Sequence, residues 1–284
     1  MAEYDQAVLK KLQSIELEIL KDFIDVCQRH SLVYYVAGGT AIGAFRHKGF
    51  IPWDDDIDVN MPREDYDRFL KYAETELSEK YNVQHIDNTD GYVLTFAKMN
   101  LKGTVFIEAT DTNRRYEQGI FIDIFPMDKL PTDEKEQQKQ IKKTFFWARV
   151  ISLSEYASPK LPNNINPLIS AVAKVALPVL HGVLRCVGMN ARKAYRHYLK
   201  YAEKYNGTDE NYYIDYACLT PLVTKVSHDD IFVGSTGEFE GIKVRMLLDH
   251  DRQLRVQYGD YMQLPPEDKR HNHCAEIIEF GDYN

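Results

Sequence analysis

Leu9, Leu12, Ile15, Ile19, Phe23 and Val26 recur at three- and four-residue spacings, the apolar stripe of an amphipathic first helix. The chain then turns extended: Tyr34-Tyr35-Val36-Ala37 reads as a short strand stopped by Gly38-Gly39. Residues 40–47 read as a short helix leaving that turn, with Thr40 as its cap. Gly49 and Pro52 break the chain before a second strand over 56–61, and an acidic amphipathic helix follows over 63–80. Further strands are expected over 92–99, 104–109 and 119–125. From Thr132 the pattern becomes mostly helical, punctuated by Pro159, Pro162, Pro167 and Pro178. A helix over 195–205 stops at Asn206-Gly207, and another is expected near 249–258. The prediction is an α+β chain. Residues 1–130 form a mixed β-sheet core with flanking helices, and 131–284 form a helix-rich half that packs on the core and completes the substrate site.

One segment stands apart. Residues 165–187 are strongly apolar, but Pro167, Lys174, Pro178, His181 and Arg185 interrupt them. A membrane-crossing helix wants about 20 residues nearly free of charge, so crossing is not expected. A helical hairpin packed on the core is the first expectation, and a surface lying against a membrane is the second.

Composition narrows the function. With 35 Lys and Arg against 43 Asp and Glu, the net charge of −8 argues against a nucleic-acid binder, which needs a basic face. A nucleotide substrate is compatible, because bound cations supply positive charge locally. Met1-Ala2-Glu3-Tyr4-Asp5 has no basic start followed by an apolar run, so no secretory signal is expected. Cys27, Cys186, Cys218 and Cys274 are scattered and read as reduced cytosolic thiols.

The chemistry is concentrated in a few carboxylates. Period-two alternation sets Ile57, Val59 and Met61 on one strand face and Asp56 and Asp58 on the other. Two residues of strand rise by roughly 6.6 Å, so both carboxylates can converge on one divalent cation. An acidic turn running solvated into an edge strand would also produce Asp54-Asp55-Asp56. Upstream, Gly38-Gly39-Thr40 lies between a strand and a helix, where backbone N–H groups can meet a phosphate. Downstream, Asp123 sits alone inside Ile120-Phe121-Ile122-Asp123-Ile124-Phe125, and a buried carboxylate needs a partner. The Gly-Gly turn, the D-x-D strand and the later lone Asp match the way a nucleotidyltransferase fold holds two Mg²⁺ on a polyphosphate.

Longer runs are more specific. The stretch from Tyr35 through Gly38-Gly39-Thr40, then Gly49-Phe50-Ile51-Pro52-Trp53-Asp54-Asp55-Asp56-Ile57-Asp58-Val59, resembles the LicD family of phosphocholine transferases. Gly119 to Pro126 is similar to the family's second block, and Tyr258-Gly259-Asp260-Tyr261-Met262 with Leu264-Pro265-Pro266 to its C-terminal block. Arg245-Met246-Leu247-Leu248 stands where a proline-containing link is expected. The resemblance implies transfer of phosphocholine, or a related phosphate-linked alcohol, from a CDP-linked donor to a sugar hydroxyl of a cell-surface glycan precursor such as a teichoic acid or lipopolysaccharide. It implies a cytoplasmic enzyme, at the inner face of the membrane if its acceptor is lipid-linked. Asp56 and Asp58 would hold Mg²⁺ or Mn²⁺ on the CDP diphosphate, and Asp123 would orient the acceptor hydroxyl or complete the metal site. Adenylylation of a small-molecule hydroxyl and a non-catalytic scaffold are the alternatives.

Other residues are secondary. Arg46, His47 and Lys48 end the short helix within reach of donor phosphate, and they also suit a helix C-terminus. Lys98 resembles a family position that contacts the diphosphate. Trp53 is the aromatic nearest the motif for a quaternary ammonium. His271-Asn272-His273-Cys274 lacks a second ligand pair at zinc-finger spacing.

Overall fold

The computed structural model describes residues 4–108, 114–157, 166–272 and 275–283. Helix α1 (Gln6–Arg29) begins where Asp5 accepts a hydrogen bond from the N–H of Ala7, satisfying one of the first-turn donors. Its stripe of Leu12, Ile19, Phe23 and Val26 is fully buried in a core shared with Val59, Met61, Ile122 and Ile124 of the sheet. Strand β1 (Tyr35–Val36) leads into α2 (Gly38–Ile42), and a wider helical turn continues over Gly43–His47. Strand β2 (Asp58–Pro62) is followed by α3 (Arg63–Glu76), β3 (Tyr81–Gln84), β4 (Ala97–Leu101), β5 (Val105–Glu108) and β6 (Phe121–Leu130).

The main sheet runs β1-β2-β6-β4-β3. Its pairs are antiparallel except β2 with β6, whose parallel register sets Asp58 beside Asp123. Beyond residue 130 come α4 (Glu134–Glu155), α5 (Pro167–Cys186) and α6 (Ala191–Ala202), and then strand returns. Strand β7 (Tyr212–Asp215) pairs with β6 and with β8 (Val226–Ser227). The short helix α7 (His228–Phe232) precedes a hairpin of β9 (Ser235–Phe239) and β10 (Ile242–Met246), followed by α8 (His250–Tyr258). Strand β11 (Ala275–Glu279) pairs back onto β5. The chain is therefore a mixed α/β protein whose second half carries α4 to α6 but also adds strands to the first half's sheet.

Strand β6 changes partner along one edge. It pairs with β4 as far as Ile124 and with β7 from Met127 onward, while β2 holds the opposite edge. Phe125 and Pro126 lie between the two pairings, and Pro126 has no N–H to offer there.

Several boundaries differ from the sequence expectation. The second strand starts at Asp58, which leaves Asp56 in the preceding loop. Thr40 does not cap: α2 starts at Gly38 with Ala37 before it, and the Thr40 hydroxyl is buried within the helix. The helix after β2 ends at Glu76 because the chain turns into β3, a strand too short and polar to stand out. Only 97–99 of the strand expected over 92–99 pair, since Tyr92 is instead buried in a second core with Ile86, Ile151 and Ile214. Arg245 needs no proline-containing link, because it lies within β10 and its guanidinium donates to the carbonyls of Ile231 and Phe232. Pro159, Pro162, residue 109 and the His273-Cys274 part of the weighed zinc run lie outside the described residues.

The expected hairpin over 165–187 is a correction too. Residues Pro167–Cys186 form one continuous helix with Pro178 inside it, and Ile169, Val172, Val175, Val179, Leu180 and Val183 are exposed. The pattern identified helix and apolarity, but periodicity alone does not tell which side the protein occupies.

A buried ion pair of the first half is tied to the second by a hydrogen bond. Arg63 donates to both oxygens of Asp128 (2.9 and 2.8 Å), and Asn206, after α6, donates to the same carboxylate at 2.7 Å. Asp128 is 1 % exposed, so removing its partner strands a charge in the interior. Arg63→Met is expected to cost about 3–5 kcal/mol in urea unfolding, and Arg63→Met with Asp128→Leu to cost less than that single change.

Candidate active site

The parallel pairing of β2 with β6 and the antiparallel pairing of β6 with β4 place Asp58, Asp123 and Lys98 in one row across three strands. Gln84 of β3 extends the row beyond Lys98. Lys98 Nζ lies 2.9 Å from Asp123 Oδ1 and 3.2 Å from Oδ2. Both side chains are nearly buried. The partner demanded by the lone acid of β6 is therefore the lysine one strand away.

The Gly-Gly turn packs against the same row. Gly38 has φ +54°, and a Cβ there would lie 2.8 Å from Asp58 Oδ2. A Cβ on Gly39 would lie 2.5 Å from Asp54 Oδ2. These two positions are glycine because two carboxylates press on the backbone. The turn is fastened to β2 twice: Ala37 N–H donates to the Asp58 carbonyl, and Asp58 N–H donates to Thr40 Oγ1 at 2.9 Å. Thr40 thus positions Asp58 through the backbone.

The electrostatics follow from this crowding. Burial raises the pKa of Asp58 well above the usual carboxylate range, and Asp56, Asp123 and Asp54 add to the effect. Burial also raises Asp123, to about 6, against the opposing pull of Lys98. Carboxylates crowded against one another repel, and a divalent cation such as Mg²⁺ or Mn²⁺, for which ionised carboxylate oxygens are suitable ligands, would relieve that repulsion. Among the described residues, no three His, Cys, Asp or Glu side chains converge tightly enough to enclose a metal. A small divalent cation fits such a partial site, because it commonly completes its shell with water and substrate phosphate.

Beside Asp58 opens a cavity of about 360 Å³, lined by Gly38, Phe125, Asp215, Thr224 and Tyr258 among others. It lies where β6 passes from β4 to β7. Asp215 is buried, raised to about 7 by that burial, and accepts a hydrogen bond from Ala217 N–H at 2.7 Å. Partial burial and the charges of Asp58, Asp54 and Asp56 push Tyr258 up to about 12, so its phenol keeps its proton at neutral pH.

Residues 31–159 match the LicD/FKTN/FKRP nucleotidyltransferase domain. Across 94 % of this chain and 97 % of the relative, the sequence is 29 % identical to the lipopolysaccharide cholinephosphotransferase LicD of Haemophilus influenzae. Shorter stretches resemble uncharacterized proteins of Rickettsia typhi (31 % over 68 residues, 24 % of this chain and 22 % of the relative) and Rickettsia prowazekii (38 % over 48 residues, 17 % and 18 %). The chain carries a LicD-family nucleotidyltransferase domain.

The residues singled out by sequence do not all meet. Gly38, Gly39, Thr40, Asp58, Asp123 and Lys98 form the row and its turn, and Asp56 acts on Asp58 from the loop before β2. Arg46 instead donates to the Tyr261 carbonyl, and Trp53 lies under the Arg270 guanidinium, 5.2 Å from ring to cation. Neither lines the cavity beside Asp58.

Three contributors escaped sequence reasoning. Glu16 of α1 is buried, its Oε2 has no hydrogen-bond partner, and its pKa is raised well above normal by burial and by Asp56, Asp55 and Asp54. The signal was available, since an acid at position 16 falls inside an apolar stripe. Asp215 sits in Tyr212-Tyr213-Ile214-Asp215-Tyr216 and carries the same signal as Asp123. Asp54 lies in the acidic run before β2, where the sequence assigns it no separate role, yet it packs against Gly39.

Lys98→Met should leave Asp123 without its counter-charge. Asp123 ionises as pH rises through about 6, so the loss should be small near pH 5 and grow to at most about 2–3 kcal/mol by pH 8, read from urea unfolding at each pH.

Proposed function

We propose that this LicD-family transferase moves phosphocholine, or a related phosphate-linked alcohol, from a CDP-activated donor to a sugar hydroxyl of a cell-surface glycan precursor. The observation that carries the reading is the cavity beside Asp58, where a carboxylate row adjoins an aromatic ring and a second buried carboxylate. A quaternary ammonium donates no hydrogen bonds, so its recognition rests on ring faces and nearby negative charge. Phe125 and Asp215 supply both, and a cationic guest favours ionised Asp215. Likeness to a lipopolysaccharide cholinephosphotransferase over 94 % of the chain supports the same reading.

The acceptor oxygen attacks the distal phosphorus, the bond to the bridging oxygen breaks, and CMP leaves with that oxygen. Mg²⁺ or Mn²⁺ held by Asp56 and Asp58 would neutralise charge on the diphosphate. Asp123 takes the proton of the acceptor hydroxyl, a task suited to a carboxylate raised to about 6. Lys98 keeps that carboxylate oriented. Tyr258, protonated at neutral pH, offers a hydrogen bond to donor phosphate oxygen.

CDP-choline with Mg²⁺ should raise the melting temperature more than ATP does. Strong stabilisation by ATP with none by cytidine nucleotides would transfer the assignment to adenylylation. Asp56→Asn and Asp58→Asn should each lower transfer about a hundredfold or more while the melt stays cooperative; near-normal turnover would remove them from the site. Asp215→Asn should weaken CDP-choline about tenfold and leave CDP binding unchanged. Equal loss for both ligands would assign Asp215 to the fold alone.

A further inference from the structure

Helix α5 is built the wrong way round for a soluble protein. Ile169, Val172, Val175, Val179, Leu180 and Val183 recur at helical spacing and are 48–70 % exposed. Ser170, Ala173, Leu177, His181 and Leu184 form the half-buried opposite side. A surface helix ordinarily buries its apolar stripe and shows its polar one. Here the 18 residues Ile169–Cys186 have a mean hydropathy of 1.5, and none is buried. A contiguous aliphatic face of this kind marks an interaction surface.

Charge indicates what covers it. Residues 134–202, from the start of α4 to the end of α6, hold 12 Lys and Arg against 3 Asp and Glu, a net charge of +9. The whole chain is −8, so the remainder carries −17. The outward aliphatic stripe thus belongs to a basic region of an otherwise acidic protein. Lys174 and Arg185 are both exposed on α5, and Arg149 on α4 is exposed as well. Phe146 adds an aromatic ring, 55 % exposed, to the outer side of α4. Aliphatic stripe, aromatic ring and long basic side chains together form the composition that inserts shallowly into an anionic bilayer while its cations meet the phosphates.

We propose that α5 docks this protein onto the surface of an anionic lipid bilayer, lying in the interface without crossing it. The helix is fastened midway to the protein body, where His181 Nδ1 lies 2.8 Å from the Leu153 carbonyl of α4. By length and composition Ile169–Cys186 is also long and apolar enough to cross a bilayer, but Lys174 and Arg185 lie within that window and the contact with α4 holds the helix along the protein body. The inference stands on the exposed face and the charge distribution and does not depend on which group the enzyme transfers.

Sedimentation of the full chain with vesicles tests it. Wild type should pellet with equal mixtures of phosphatidylcholine and phosphatidylglycerol, pellet far less with phosphatidylcholine alone, and be released by salt. Val175→Asp with Val179→Asp should abolish pelleting with the melting temperature unchanged, because both side chains are already exposed. Lys174→Glu with Arg185→Glu should weaken binding about tenfold or more. Wild type left in the supernatant with both vesicles would overturn the proposal, as would undiminished pelleting of the aspartate variant. Light scattering that shows a dimer split by the aspartate pair would overturn it in favour of a second copy of the chain.

Discussion

The in-register parallel pairing of β2 with β6 is the constraint on which the rest of the site depends. It sets Asp58 beside Asp123 at the centre of a sheet whose other face is packed with Val59, Met61, Ile122 and Ile124. A one-residue slip would exchange the two faces of β2, sending Asp58 into the core and Val59 into the cleft. Strand β4 then has to present a cation in the same row, which Lys98 does. The glycine turn has to come close without side chains, and α1 has to close the back of the cluster with Glu16. Each of these features follows from keeping like charges together in a place that would ordinarily exclude them.

Much of this was legible in the sequence because it violates ordinary patterning. Carboxylates at alternate positions of a strand, and one acid in a run of isoleucine and phenylalanine, oppose both strand propensity and burial. They stand out for that reason. Asp56 is different: alternation extends the strand back to it, whereas the ladder begins at Asp58.

What escaped was non-local. That Asp123 would find Lys98 depends on strand order, which no pattern within either strand encodes. The cavity wall at Asp215 and Tyr258 comes from segments more than 80 residues beyond β6, and β7 is too short to announce that it joins that strand. Helix α5 escaped for a different reason. Hydropathy measures how much apolar surface a helix owns, and only packing against α4 reveals which way that surface faces.

The change of partner along β6 also bears on how the molecule is made. Its pairing strands are drawn from residues 58–62, 97–101 and 212–215, so the sheet is assembled from distant stretches of chain. A ribosome delivers Asp58, Lys98 and Asp123 well before β7 emerges, and Tyr258 comes later still. During synthesis the charged row can form as soon as β2, β4 and β6 meet, while the edge of β6 beyond Pro126 waits uncovered. Such an edge is a template for the wrong strand. The vulnerable interval of biosynthesis is therefore the one in which α4, α5 and α6 are being translated.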